Sequence, residues 1–203
     1  MFYHKLLKSL SLPLPGDVAR RLMWAPHREL MRDFEKKELP RKSAVAVILF
    51  PDKSNNIHLL LIRRTSDKSH HSGQISFPGG KAESGDADLK STALRELFEE
   101  TGIKNDSLKY AGELSQLYIP VSHFMVYPHV FYCHNLPENK PNSAEVQYIL
   151  TVPISVFTEG NHVSTYSINW ENKEYVFPCY KYNEEIIWGA TAMIIAELAE
   201  IIK

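Results

Sequence analysis

Short apolar runs alternate with turn-forming residues through the middle of the chain, and this pattern predicts strands. The runs at 43–50 and 57–64 are rich in Val, Ile and Leu, and the polar turn PDKSNN separates them. Similar runs continue downstream and end in two segments joined by a short ENK turn, which predicts a late hairpin. The further predicted strands are 110–118, 124–133, 148–154, 164–170 and 173–180.

Helical patterns dominate the two ends of the chain and one central segment. Residues 1–40 combine the amphipathic stretch FYHKLLKSL with charged, helix-forming residues that follow two prolines. The central helix begins near Asp86 or Asp88, either of which can cap it, and ends at Gly102, which suits a left-handed C-terminal position. Residues 184–203 carry an apolar stripe, which predicts one long C-terminal helix.

The order of these elements indicates the class of fold. Strands and helices mix without regular alternation, which favours an α/β sandwich with a mixed sheet over a doubly wound fold. A chain of 203 residues is typical of one domain, or of one domain with an extension. We therefore predict a helical extension at 1–40, packed on a domain that occupies 41–203.

Composition narrows the setting of the protein. Hydrophobic residues make up 44% and charged residues 23% of the chain, as in ordinary soluble proteins, and the formal net charge of −1 argues against nucleic-acid or anionic-membrane binding. No apolar run reaches the roughly 18 to 20 residues that span a bilayer, and the first residues do not read as a signal peptide. Two cysteines, Cys133 and Cys179, are too few for a disulfide framework, so we predict a cytoplasmic protein.

The central helix carries a cluster of like charges. Glu96, Glu99 and Glu100 fall within an arc of about 100° on one helix face, although like charges four residues apart destabilise a helix. A solvated acidic face is one interpretation; a site for a hard divalent cation is the other, because Mg²⁺ and Mn²⁺ prefer carboxylate oxygens. Arg95 lies one turn before Glu99, at pairing distance. The opposite side can face the core and carries Leu94, Leu97, Phe98 and Thr101.

The segment from Gly80 to Ile103 resembles the signature box of the Nudix hydrolases, which cleave nucleoside diphosphates linked to another group. Its second half, RELFEETGI, matches at every specified position of the box. Between Gly80 and Arg95 the chain has one residue more than usual, and Asp86 stands where a glutamate is expected. Both departures are similar to the coenzyme A diphosphatase branch. The resemblance implies the Nudix fold, an α/β/α sandwich with a mixed sheet.

Two further stretches resemble the same branch. The first joins LLIRR at 60–64 to HSGQISFPGG at 71–80, and the second is IWGATA at 187–192. Together they imply hydrolysis of coenzyme A or acyl-coenzyme A to 3′,5′-ADP and the matching 4′-phosphopantetheine. The implied partner is a small nucleotide-type molecule, and the sequence leaves open whether the N-terminal helices support a homodimer.

The resemblance also implies roles for individual residues. Glu96, Glu99 and Glu100 would bind Mg²⁺ or Mn²⁺, and Arg95 would hold a carboxylate in place. Glu145 matches a later acidic position, so either Glu99 or Glu145 would accept the proton of the attacking water. Asp86 would bind metal through water or cap the helix.

Other residues are candidates for contact with the substrate. Each has a structural alternative, such as shaping a strand end or a tight turn. The candidates are Arg64, His71, Gln74, Phe77, Gly79 and Gly80. Several aromatic residues near the C-terminus could stack on an adenine, although such residues more often belong to the core. They are Tyr175, Tyr180, Tyr182 and Trp188.

Two other functions compete with cleavage of coenzyme A. One is Nudix hydrolysis of a different compound, such as ADP-ribose, NADH or a nucleoside triphosphate. The other is a Nudix-like domain that senses a nucleotide without cleaving it. The chain keeps Arg95, Glu96, Glu99 and Glu100, and this argues against the sensor because non-catalytic relatives usually lose box acids.

Overall fold

The computed structural model describes residues 2–25, 38–65, 73–160, 162–170 and 173–203. Most of the charged helical segment predicted just before residue 40 lies outside these ranges, as does His71. The helices are α1 (Phe2–Leu10), α2 (Asp17–Arg20), α3 (Leu89–Thr101), α4 (Ser155–Thr158) and α5 (Gly189–Ile202). Short 3₁₀ turns occupy Arg21–Met23 and Asn105–Ser107.

The strands cover the predicted runs and also include short strands at 75–76, 79–81 and 185–188 that the sequence does not predict. They are β1 (Arg41–Pro51), β2 (Ile57–Arg64), β3 (Ile75–Ser76), β4 (Gly79–Lys81), β5 (Lys109–Glu113), β6 (Leu117–Ile119), β7 (Phe124–Tyr132), β8 (Val146–Pro153), β9 (Val163–Trp170), β10 (Lys173–Tyr182) and β11 (Glu185–Trp188). The predicted strands at 43–50 and 57–64 and the late hairpin are confirmed.

Within the described ranges the strands form two sheets. The larger has the order β3-β2-β1-β7-β5, with β4 paired to β1, β6 to β7 and β8 to β2. It is mixed, because β1 and β7 run parallel from Arg41 opposite Phe124 to Leu49 opposite Tyr132, whereas its other pairs are antiparallel. The smaller sheet is antiparallel, in the order β11-β10-β9.

Helices cover both faces of the larger sheet. The α3 face buries alternate residues of the central strands, including Ala46 and Ile48 of β1, against Ala93 and Leu97. The opposite face buries Val47 and the neighbouring alternate positions against α1 and α5. The central strands β1, β2 and β7 carry buried apolar residues on both sides, as expected for a sheet with two covered faces. The predicted α/β/α sandwich with a mixed sheet is confirmed.

The N-terminal segment packs on the α5 face. Tyr3 stacks on Tyr132 with ring centroids 5.3 Å apart, and its hydroxyl donates to Tyr110 O at 2.9 Å. Arg20 and Glu197 of α5 form a buried ion pair. The domain boundary between residues 40 and 41 stays a prediction. No helix within the described ranges is long and apolar enough to cross a membrane.

Two predicted element boundaries are wrong. The C-terminal helix begins at Gly189, because 185–188 pairs with β10 as β11, with Ile187 opposite Tyr180. Gly189 has φ 63°, a left-handed value at which the chain leaves the strand. The predicted strand 110–118 is divided, because the backbone of Ser115 bonds to Arg20 and Glu197 instead of a neighbouring strand.

Candidate active site

Local capping places α3 where the sequence predicts it. Asp88 is the N-cap residue, and its Oδ1 accepts from Ser91 N at 2.7 Å. At the other end Gly102 has φ 71°, and its N–H donates to Phe98 O at 2.8 Å. Of the two candidate caps, therefore, Asp88 caps the helix, whereas Asp86 accepts from Glu83 N at 2.9 Å and Thr92 Oγ1 at 2.8 Å.

The buried face of α3 is rotated relative to the prediction. Ala93, Leu97 and Thr101 are buried, but Phe98 is 51% exposed and Glu100 only 1%. Glu100 lies about 60° from Leu97 around the helix axis, whereas Phe98 lies about 100° away on the other side. Placing Phe98 on the core face was wrong, because the helix turns Glu100 toward the sheet.

Glu100 is held between β2 and the turn into β4. Its Oε1 accepts from Arg64 Nη1 at 2.9 Å, and its Oε2 accepts from Gly79 N at 2.9 Å. Burial raises the pKa of Glu100 to about 7, against the opposing effects of these two donors. The helix thus presents a carboxylate beside the glycine turn while keeping it close to a cationic side chain.

Arg95 gathers the other acidic groups of the box. Nε and Nη2 donate to the two oxygens of Asp86 at 2.9 and 3.1 Å, in a bidentate fork. Nη1 donates to Glu96 at 2.9 Å and to Glu99 at 3.1 Å, which confirms the predicted pairing of Arg95 with Glu99. The hydrogen bond from Arg95 holds the pKa of Asp86 well below its usual range. Lys81 O accepts a further bond from Nη2, at 3.1 Å.

The two glycines of the turn leave room for this cluster. A Cβ on Gly80 would lie 2.5 Å from the carboxylate of Glu96. A Cβ on Gly79 would lie 2.4 Å from Ala44 O, and Gly79 has φ 157°, a value that side-chain-bearing residues rarely adopt. These two positions therefore require glycine for the backbone to pass between β1 and α3.

Glu145 approaches the cluster from the loop before β8. Its carbonyl accepts from Thr65 N at 2.9 Å, which ties this loop to the end of β2. Burial raises the pKa of Glu96, and the negative charges of Glu99 and Glu145 raise it further. Glu145 has the same effect on Glu100. The fold therefore brings Glu145 into electrostatic contact with the glutamates of α3.

The chemistry of these donors suits Mg²⁺ or Mn²⁺. Four glutamates supply hard oxygen ligands, which these ions prefer, and a cation would relieve the mutual repulsion that contributes to the raised pKa values of Glu96 and Glu100. In the described part of the chain, no three acidic, His or Cys groups stand in a ready-made coordination geometry. Arg64 bonds one oxygen of Glu100, and Arg95 bonds one oxygen each of Glu96 and Glu99.

The predicted substrate contacts occupy varied environments. Arg64 is engaged by Glu100, and Gln74 O accepts from Arg64 N at 3.0 Å. Phe77 is buried in the core on the α5 face, and His71 lies outside the described residues. Their contacts with a substrate stay predictions.

Two of the predicted aromatic residues, Tyr180 and Trp188, pack against other aromatic side chains, which favours the core interpretation for them. Tyr180 is buried and meets Phe157 with centroids 5.0 Å apart. Trp188 packs against Phe177 at 5.1 Å and Tyr166 at 5.7 Å. Tyr180 therefore has no free face for an adenine.

The sequence does not predict two contacts of the site. Asp86 is predicted to bind metal or cap the helix, yet its partner is Arg95, and helical periodicity gives no signal for a loop residue nine positions earlier. Asn142 is absent from the predicted site, although its side chain donates to Glu145. An Asn three residues before an acidic residue in a polar loop is the signal that was available.

Comparison with known proteins agrees with this fold. RenU, a Nudix hydrolase from M. Smegmatis, has a solved structure that superposes with a TM-score of 0.57 over 81% of this chain and 86% of that one, at 14% identity. At that identity the likeness concerns the fold alone.

Two curated relatives extend the comparison to sequence. The chloroplastic Nudix hydrolase 22 of Arabidopsis thaliana is 30% identical over 80% of this chain, which spans 56% of that protein's length. The peroxisomal coenzyme A diphosphatase ndx-8 of Caenorhabditis elegans is 29% identical over 82% of this chain and 73% of its own. Residues 40–166 match the NUDIX domain, more than half of the chain. The chain therefore belongs to the NUDIX domain family.

Proposed function

We propose that this protein is a metal-dependent hydrolase of a diphosphate linkage in a nucleotide derivative. One observation carries the proposal: Glu96, Glu99, Glu100 and Glu145 converge beside the glycine turn, with only Arg64 and Arg95 to balance them among the described residues. Membership of the NUDIX domain family supports the same reaction class. A cluster in which carboxylates outnumber the cationic side chains in this way is a suitable receptor for divalent cations.

Each residue has a task in this reaction. Glu96, Glu99 and Glu100 would hold Mg²⁺ or Mn²⁺, an ion that neutralises phosphoryl charge and lowers the pKa of bound water. Arg95 orients Glu96 and Glu99 through the fork that it makes with Asp86. Glu99 or Glu145 accepts the proton of the attacking water, since both carboxylates are exposed. No covalent intermediate is required, and positioning with electrostatics supplies the catalysis.

We propose coenzyme A or an acyl-coenzyme A as the substrate. The HSGQISFPGG stretch, the longer Gly80-to-Arg95 segment and Asp86 all resemble the coenzyme A branch. The similarity to ndx-8 supports this choice. The products would be 3′,5′-ADP and the (acyl-)4′-phosphopantetheine, with Arg64, His71, Gln74, Phe77, Gly79 and Gly80 as the candidate substrate residues.

Product analysis tests this proposal. Purified protein with Mg²⁺ or Mn²⁺ is incubated with coenzyme A, dephospho-coenzyme A, ADP-ribose, NADH and nucleoside triphosphates, and products are identified by mass spectrometry. We expect 3′,5′-ADP from coenzyme A and slower cleavage of the dephospho compound, because the 3′-phosphate offers a charge-assisted contact. Faster turnover of ADP-ribose or NADH would replace the substrate but keep the reaction class. Binding without any turnover would make the protein a nucleotide sensor.

We also propose a cytoplasmic location and no nucleic-acid partner. Cys133 and Cys179 are both free and buried, which fits a reducing compartment. Imaging of the full chain with a fluorescent fusion tests the location. Sedimentation of the full chain tests whether it forms a homodimer.

A further inference from the structure

The loop that carries Glu145 is fastened to the last turn of α3. Lys140 N donates to Thr101 O at 2.8 Å, and Asn142 N donates to Glu100 O at 3.0 Å. Carbonyl groups at a helix C-terminus have no partner inside the helix, so these bonds satisfy them. Glu145 and Glu100 therefore belong to segments that are joined directly by the backbone of Asn142.

Asn142 uses both ends of its side-chain amide within this loop. Oδ1 accepts from Ala144 N at 3.2 Å, and Nδ2 donates to Glu145 Oε1 at 3.3 Å. A backbone N–H can only donate, so it fixes the oxygen end of the amide toward Ala144. The nitrogen end must then face Glu145. The carbonyl of Asn142 completes the turn by accepting from the N–H groups of Glu145 and Val146.

Two properties of Glu145, its exposure and its negative surroundings, explain why a neutral hydrogen-bond partner would restrain its side chain. Its side chain is exposed, and an exposed glutamate samples several rotamers unless a contact selects one. It also shares an electrostatic field with Glu96 and Glu100, which repel it from the cluster. An amide N–H restrains the carboxylate without adding positive charge. The second oxygen of Glu145 keeps its full capacity to accept a proton or face a cation.

We infer that Asn142 is a positioning residue that orients Glu145 toward the carboxylates of α3. The inference rests on the proposed function, because it gives Glu145 a task in that reaction. Asn142 itself touches Glu145 through its amide and Glu100 through its backbone. It therefore couples the orientation of a loop carboxylate to the end of the helix that carries the rest of the cluster.

Asn142→Asp is the sharpest test, because the two side chains have nearly the same shape. Aspartate keeps the oxygen that accepts from Ala144 N but replaces the donor to Glu145 with a repelling oxygen. We expect kcat on the proposed substrate to fall about tenfold or more, with KM within about threefold, because misplacing a reacting group costs rate rather than binding. Asn139→Asp is the matched control. It adds the same charge to the same loop, but the amide of Asn139 donates to Pro137 O, and its kcat should stay within about twofold.

A double-mutant cycle with Glu145→Gln supplies a readout that does not need turnover. In EDTA, the aspartate introduced by Asn142→Asp can accept from the amide introduced by Glu145→Gln. The double variant should therefore be more stable to heat than the two single changes predict. The same cycle with Asn139→Asp should be additive. In the Glu145→Gln background, Asn142→Asp should change the remaining kcat by less than about twofold.

The outcomes separate the two proposals. An Asn142→Asp kcat within twofold of the wild type, or additive stabilities in the Asn142 cycle, overturns the positioning role. If the wild-type protein cleaves no diphosphate compound, the proposed function fails. In that case the thermal cycle alone decides whether Asn142 restrains Glu145.

Discussion

Two arginine–carboxylate centres lie on opposite faces of the larger sheet, and they differ in charge balance. On the α5 face, Arg20 pairs with Glu197, with 1% and 0% of the side chains exposed, and the partly exposed Asp17 lies 3.9 Å from Arg20. Arg20 also donates to the carbonyls of Ser115 and Gln116, while Glu197 Oε1 accepts from Ser115 N at 3.1 Å. The pair is neutral, closed to water and joins three separate segments of the chain.

The α3 centre has the opposite character. Two arginines, Arg64 and Arg95, face five carboxylates, and two of these carboxylates belong to exposed residues. The five are Asp86, Glu96, Glu99, Glu100 and Glu145. A closed, balanced ion pair joins segments of the fold, whereas an open cluster with surplus negative charge is the arrangement that we propose binds a cation. Charge balance and access to water therefore distinguish a structural centre from a candidate catalytic one.

Removal of divalent metal should produce the largest effect, a loss of activity that involves only the α3 centre. We expect activity to fall to background in excess EDTA and to return on addition of Mg²⁺ or Mn²⁺. The same ions should raise the thermal midpoint of the wild-type protein, because they bind the folded cluster in preference to the unfolded chain. Differential scanning fluorimetry and product release measure the two effects. Full turnover in EDTA would contradict the metal-dependent mechanism.

Glu197→Gln should separate stability from catalysis. Removing the charge of Glu197 leaves the buried Arg20 with only the more distant and partly exposed carboxylate of Asp17 among the described residues. Breaking a buried pair costs about 3 to 5 kcal/mol of unfolding free energy. Urea unfolding measures this loss. The kcat of the folded fraction should stay within about twofold, since Glu197 lies on the face opposite α3. Glu200→Gln, an exposed position on the same helix, is the control and should change stability by less than about 0.5 kcal/mol.

Local chemistry explains which parts of the molecule could be predicted. Asp88 and Gly102 bound α3 because capping and left-handed geometry depend on a few neighbouring residues. The segment 185–188 was misassigned because its apolar run suits a strand as well as a helix, and only pairing with β10 decides. The convergence of Glu96, Glu99 and Glu100 was visible from helix periodicity, although the burial of Glu100 was not.

Contacts between distant segments explain most of the remainder. Arg20 and Glu197 are 177 positions apart, so no spacing rule joins them. The rotation of α3 that exposes Phe98 depends on how the helix packs against the sheet, which periodicity alone does not set. Asp86 accepts from Arg95 only when the loop before α3 folds back on the helix.

Glu100→Gln should reverse the pattern expected for Glu197→Gln. We expect kcat to fall about 100-fold or more, comparable with loss of a strong electrostatic contact, because glutamine cannot carry charge toward a cation. The loss of stability should be smaller than for Glu197→Gln. Water can solvate Arg64, which is 28% exposed, and glutamine still offers an acceptor to Gly79 N. Steady-state kinetics and urea unfolding of the same preparation measure both quantities. A variant that unfolds more readily but retains its kcat would assign Glu100 to structure.

Arg95→Lys should give the smallest effect and test whether the α3 centre depends on geometry as well as charge. Lysine keeps the positive charge but cannot make the fork to Asp86 while also reaching Glu96 and Glu99. The carboxylates would then lose their fixed orientation, and we expect kcat to fall about tenfold with KM changed by less than about threefold. Arg41→Lys, at the start of β1 and bonded to Ser122 O, is the control and should leave kcat within about twofold. A variant whose KM rises while kcat is unchanged would place Arg95 in contact with the substrate. The expected decrease in kcat alone would instead show that Arg95 acts through the carboxylates that it holds, as Arg20 acts through Glu197 on the other face.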